Sequence, residues 1–138
     1  MTKRKKSWVY SASKGSKPSV PAPLKAKVEQ AAQEFVKTVL KPRHVQPPPE
    51  NAQFNYIVDV YSKWYRHYFY FCAKYHVPDP NAIEPYFENK FARLEYIGNE
   101  HFNLSYERHN GQWFQIYSDI SLDECLNAVK DDPWFQAL

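Results

Sequence analysis

The sequence predicts an α+β fold: a five-stranded antiparallel meander sheet flanked by an N-terminal and a C-terminal helix on one face. Three observations predict it. Residues 64–75 hold seven aromatics in twelve positions, which suits a central strand, because rings bury large areas and fit a pleated surface. Helical periodicity is confined to the two flanks, over residues 24–40 and 122–130. Between those flanks turn signals recur at short intervals, which joins neighbouring strands as hairpins rather than through crossovers.

The elements follow in order. In the first helix Leu24, Val28, Ala31, Phe35 and Val39 form a stripe that Ala32, Val36 and Leu40 widen. Pro23 suits a first turn, and Pro42 is expected to end the helix near Lys41. Pro47-Pro48-Pro49 makes a stiff, extended connector. The first strand is expected over residues 54–61, with Phe54, Tyr56, Val58 and Val60 on one face and Asn55, Ile57, Asp59 and Tyr61 on the other. Ser62-Lys63 is expected to turn into the second strand. There Tyr65, His67, Phe69, Phe71 and Ala73 face the helices, while Trp64, Arg66, Tyr68, Tyr70 and Cys72 face away. Pro78, Pro80 and Pro85 make residues 76–85 a loop. Strands follow over residues 90–97, 101–108 and 112–117, joined by Gly98-Asn99 and by Asn110-Gly111, the latter expected as a type I′ turn. Ser121-Leu122-Asp123-Glu124 is a capping box that opens the last helix, whose stripe is Leu122, Cys125, Leu126 and Val129. Asp131-Asp132-Pro133 stops it, and Trp134 and Phe135 are expected to fold back as an apolar plug.

The 138 residues suit one domain, residues 24–138, behind a basic and flexible arm, residues 1–23. Eleven tyrosines, nine phenylalanines and four tryptophans stand against three glycines, a composition that builds a core. The net charge of +3 hides a gradient: +6 over residues 1–23, +3 over 24–83 and −6 over 84–138. A cationic arm of this kind points to a polyanion partner or to simple solubility. No apolar run reaches the ~20 residues of a membrane span, and no apolar stretch follows the basic start as a signal peptide would require. Cys72 and Cys125 each lie in an apolar pattern and read as reduced core thiols of a cytoplasmic protein.

A resemblance joins this reading. The segments Phe91-Ala92-Arg93-Leu94-Glu95-Tyr96, Phe102-Asn103-Leu104-Ser105-Tyr106, Gly111-Gln112-Trp113, Ile116-Tyr117, Ser121-Leu122-Asp123-Glu124-Cys125-Leu126 and Asp132-Pro133-Trp134-Phe135 together resemble a family of small bacterial proteins of unknown function. The likeness spans roughly residues 40–136 and lies in paired strands, a Trp-containing closing hairpin, a short helix and a terminal Asp-Pro-aromatic. It implies an architecture and a bacterial origin. It implies no activity, cofactor or site residue.

The chemistry is sparse. Lys3, Arg4, Lys5 and Lys6, followed by Trp8 and Tyr10, have the ingredients for nucleic-acid contact: cations for phosphates and rings for unpaired bases. The plainer reading is a solvated tail. Arg66 among Trp64, Tyr68 and Tyr70 could extend such a surface onto the sheet; the plainer readings are that both sheet faces are buried, or that two copies pack sheet on sheet. Cys72 and His76 share strand parity, and His44, His67 or Cys125 could join them, but this is not the paired spacing of a zinc site. Asp79 with Glu88 and Lys90 matches the loose text of a metal-dependent nuclease, in which two acids hold Mg²⁺ and a lysine orients water. No nucleophile elbow or phosphate-cradling loop is present in the sequence. The expectation is a non-enzymatic binding or accessory module with no cofactor, no metal and no catalytic residue, whose arm contacts nucleic acid or an acidic protein. The alternatives are a protein–protein or homodimerisation module, and a small nuclease.

Overall fold

Leu24, Val28 and Ala32 recur at four-residue spacing and are buried, which docks one face of α1 (Ala22–Phe35) on the sheet. The computed structural model describes residues 5–10, 18–108 and 110–137. The helix does not stop at Lys41, and that expectation is corrected. The backbone passes through one wide π turn (Val36–Leu40) and continues as α2 (Lys41–His44), where the Val45 N–H closes on the Lys41 carbonyl at 2.9 Å. Pro42 has no N–H to donate, and its ring would press on the carbonyl four residues back. The wide turn, in which the Lys41 N–H reaches back to the Val36 carbonyl, accommodates it.

Five strands follow: β2 (Tyr56–Tyr65), β3 (Tyr68–His76), β4 (Tyr86–Gly98), β5 (His101–Glu107) and β6 (Trp113–Ser121), each antiparallel to the next. This is the expected meander. A sixth strand, β1 (Lys5–Tyr10), comes from the N-terminal arm and pairs antiparallel with β6, so the sheet order is β1-β6-β5-β4-β3-β2. The β-prone run Trp8-Val9-Tyr10 belongs to that strand.

Three local expectations are corrected. The first hairpin turns at Arg66-His67, not at Ser62-Lys63, with Tyr65 opposite Tyr68 and Arg66 at a φ of 57°. Trp64 therefore lies on β2 opposite Phe69, on the helix side, and its Nε1 donates to the Lys25 carbonyl at 3.3 Å. A bulge between Ile57 and Asp59 reverses the parity of β2, so that Ile57, Val60 and Trp64 all meet the core. At Asn110-Gly111 the positive φ of Gly111, 82°, is as expected, and the Asn110 side chain accepts from the Gln112 N–H at 3.1 Å. The loop closes with the Arg108 N–H on the Gln112 carbonyl, rather than as a two-residue type I′ turn.

The core lies between the sheet and the helices. Phe69, Phe71, Ala73 and Tyr75 of β3 face it, as their alternation predicts, and Phe35 meets Phe71 edge-on at 5.9 Å. The capping box forms in both directions: the Ser121 hydroxyl accepts from the Glu124 N–H, and the Glu124 carboxylate from the Ser121 N–H. It opens α3 (Leu122–Asp131), which buries Cys125, Ala128 and Val129. Asp132 then starts a 3₁₀ turn (Pro133–Phe135), accepting from the Trp134 N–H and, at 2.7 Å, from the buried Tyr117 hydroxyl. Phe135 is fully buried as the plug, while Trp134 leans on Tyr106 at 5.2 Å and stays partly exposed. No described helix is long and apolar enough to cross a membrane.

Candidate functional site

Residues that alternate with the core positions stand on the opposite face of the sheet. Tyr61, Lys63 and Tyr65 come from β2, Tyr68, Tyr70 and Cys72 from β3, Glu88, Lys90 and Arg93 from β4, Ser105 and Glu107 from β5, and Trp113 from β6. Among the described residues no helix covers this face. Tyr70, Cys72 and Arg93 are nonetheless buried, shielded by neighbouring side chains. The face is thus a polar and aromatic canopy one side chain thick.

Its centre is built on π surfaces and cations. The Arg93 guanidinium lies 4.4 Å from the Tyr68 ring centroid and 4.9 Å from that of Trp113. Lys90 sits 5.6 Å over Tyr70. The rings of Tyr70 and Trp113 are 5.7 Å apart, although their strands are three ladder steps from each other. At ~4.8 Å per step the strands stand roughly 14 Å apart, so the two rings lean together over β4 and β5. A hollow of about 300 Å³ results, lined by Lys63, Tyr65, Tyr70, Lys90, Glu107 and Trp113.

The charges in this face are held in place. Glu88 accepts from the Tyr61 hydroxyl and from Lys63 at 3.0 Å on both oxygens, and Lys90 stands 3.3 Å from the same carboxylate. Burial alone would raise the Glu88 pKa, but hydrogen bonds from Tyr61, Lys63 and Lys90 outweigh it and hold the carboxyl below its ordinary value. Glu107 shows the opposite outcome: burial raises its pKa, and Lys90 and Arg93 offset this only in part. Burial, then the nearby Glu88 charge, push the Cys72 thiol up to about 12, which removes it as a nucleophile at neutral pH.

The structure places the sequence candidates as follows. Lys3 and Arg4 lie outside the described residues. Lys5, Lys6, Trp8 and Tyr10 belong to β1, with Lys5 opposite Ser118, Lys6 opposite Tyr117 and Tyr10 opposite Phe114. Arg66 is in the hairpin turn, 5.2 Å over the Tyr65 ring, at the rim of the open face. Asp79 remains in its loop, where its carboxylate accepts from the Asn81 N–H at 2.9 Å, while Glu88 and Lys90 meet on the open face. Cys72 is on the open face and Cys125 in the helix-side core, so the sheet separates them. His44 packs on Phe91, His67 on Tyr68, and His76 beside Tyr56 and Tyr86. Among the described residues no three of His, Cys, Asp and Glu are grouped so as to hold a metal ion. Tyr65, expected on the helix side of the second strand, ends β2 on the open face because the turn lies at Arg66-His67, and that expectation is corrected. Lys63, Glu107 and Trp113 carry no site role in the sequence reading. Two-residue alternation from a correctly placed turn would have put Lys63 and Tyr65 beside Tyr70; Glu107 and Trp113 reach the hollow only through the register of the whole sheet.

A family model described as a domain of unknown function (DUF3024) matches residues 20–136. No curated protein and no solved structure matches the chain.

Proposed function

We propose, for a chain that belongs to the DUF3024 family of domains of unknown function, a non-enzymatic module that binds single-stranded nucleic acid across the open face of its sheet. The observation that carries this reading is the hollow walled by Tyr65, Tyr70 and Trp113 with Lys63 and Lys90 at its side. An unpaired base offers a flat π face to such rings, and its phosphates offer oxygens to the two ammonium groups. Glu107, also in the hollow, supplies an acceptor for an exocyclic amine. A duplex keeps its bases stacked inside and has nothing to place there. The basic arm complements the hollow, since β1 runs along the same sheet beside β6, and its cations add the sequence-independent attraction that phosphates provide.

Fluorescence polarisation with labelled single-stranded DNA and RNA, at two salt concentrations, tests this. Micromolar binding is expected, steeply weakened by salt, with duplex bound less well. Trp113→Ala should weaken single-strand binding about tenfold or more, since base–aromatic stacking is worth ~1–3 kcal/mol. Unchanged affinity in Trp113→Ala, or no binding at low salt, would sink the reading. The same mixtures with Mg²⁺, followed for strand length, test the nuclease alternative: divalent-dependent cleavage lost in Glu88→Ala would replace the binding module with an enzyme.

A further inference from the structure

The outer edge of β2 is the second distinctive surface. Among the described residues nothing pairs with it. Tyr65 and Tyr68 flank a two-residue turn and form a hydrogen-bonded pair, so by the alternation of an antiparallel ladder Lys63 and Tyr61 also bond inward to β3. Val60, Ser62 and Trp64 then direct their N–H and C=O groups outward. The Val60 N–H is taken by the Asp59 carboxylate at 2.9 Å. Those of Ser62 and Trp64 remain to template another strand.

A helix forms the second wall of this edge. Lys25, Glu29, Gln33, Lys37 and Lys41 follow one another at four-residue spacing and are exposed. The row is tied to β2 at both ends: Lys25 lies 5.7 Å over the Trp64 ring, and Lys41 is 3.2 Å from Asp59. Between these ties a groove of about 370 Å³ opens, lined by Gln33, Val36, Lys37 and Lys41 from the helix and by Val60, Tyr61 and Ser62 from the strand. The π turn forms part of its floor, and such turns recur at functional sites.

We propose that this groove receives an extended acidic segment of a partner protein as an added strand. An incoming strand offers donors and acceptors complementary to those that Ser62 and Trp64 leave outward, and every second side chain would meet the helix wall where Lys37 and Lys41 stand. Charge selects an acidic segment. A second copy of this chain, pairing β2 with β2 about a two-fold axis, is the competing occupant, and sedimentation distinguishes it. Nucleic acid has no backbone ladder to match the edge.

The test uses the full chain and a fluorescein-labelled peptide alternating glutamate and valine. Saturable binding is expected, weakened at least about tenfold by Lys37→Glu with Lys41→Glu. Amide exchange followed by NMR should slow at Ser62 and Trp64 when the peptide is added. Ser62→Pro, which removes one outward donor, should abolish binding while the circular dichroism spectrum is retained; should this variant misfold, the exchange data decide alone. The proposal is overturned if the peptide does not bind, or if a lysine–valine peptide binds equally well. It is also overturned if binding leaves the Ser62 and Trp64 amides exchanging as before, or if sedimentation of the chain alone shows a dimer that Ser62→Pro dissociates.

Discussion

Arg66 shows how one residue can carry a conformation its neighbours impose. Its φ of 57° is left-handed, a region that costs a non-glycine residue ~1–2 kcal/mol, yet the two-residue link between Tyr65 and Tyr68 places it there. Arg66→Gly removes that strain and forfeits the stacking on Tyr65 together with some unfolded-state entropy; the net expectation is a gain of about 0.5 kcal/mol, read as a higher urea midpoint. A lower midpoint would mean that the ring contact outweighs the strain. This turn was not legible in the sequence, because Arg66-His67 lacks the glycine, asparagine or aspartate that marks a hairpin. Glu107 gives a pH dependence. Its folded pKa is raised by burial, so the folded state binds the proton more tightly than the unfolded chain does. Its contribution to stability is therefore lost as pH rises through the folded value. Glu107→Gln should be more stable than the parent at pH 7, with the difference shrinking as pH falls through the ordinary carboxylate range. Equal gains in urea midpoint at pH 7 and pH 4 would contradict this.

Among the elements, α3 was the most legible, because Ser121 and Glu124 announce its start in four letters and the structure closes both bonds. Ser121→Ala should cost about 1 kcal/mol in urea denaturation, and a change near zero would show that the Glu124 side alone suffices. Asp132 does two tasks after that helix, receiving the Tyr117 hydroxyl and starting the 3₁₀ turn. Asp132→Ala should cost more, about 2–3 kcal/mol, by undoing a buried charge-assisted bond and a cap together. In α1 the apolar stripe was readable, but its passage through Pro42 was not, since a proline reads as a stop until a wide turn makes room for its ring. The alternation of Phe69, Phe71 and Ala73 fixed the helix-facing side of β3 correctly. The bulge between Ile57 and Asp59 left no mark in composition, so the faces assigned to β2 were reversed beyond it.

For the whole molecule, the meander and its two helices follow from which segments are periodic and from how short the links are. The open face does not. Its hollow joins side chains from four strands, and their meeting depends on registers that no local pattern specifies. The arm was visible as charge and not as a strand. Deleting residues 1–23 would strip β1 from β6 and leave a long strand unpaired at that edge. The truncated protein should bind nucleic acid more weakly and with a shallower salt dependence, and should show concentration-dependent association by sedimentation. A truncated protein that stays monomeric and binds as before would assign the arm to neither task.

The pairing of β1 with β6 also has a consequence in time. All other pairs join neighbours along the chain, so each hairpin can close soon after its residues leave the ribosome. The segment Lys5–Tyr10 is made before the other described strands, but its partner Trp113–Ser121 is made after them. Closing that long loop carries the largest chain-entropy cost in the sheet and comes last. Through most of synthesis, then, the segment Lys5–Tyr10 is without its strand partner, and completion of the final hairpin supplies the edge with which it pairs.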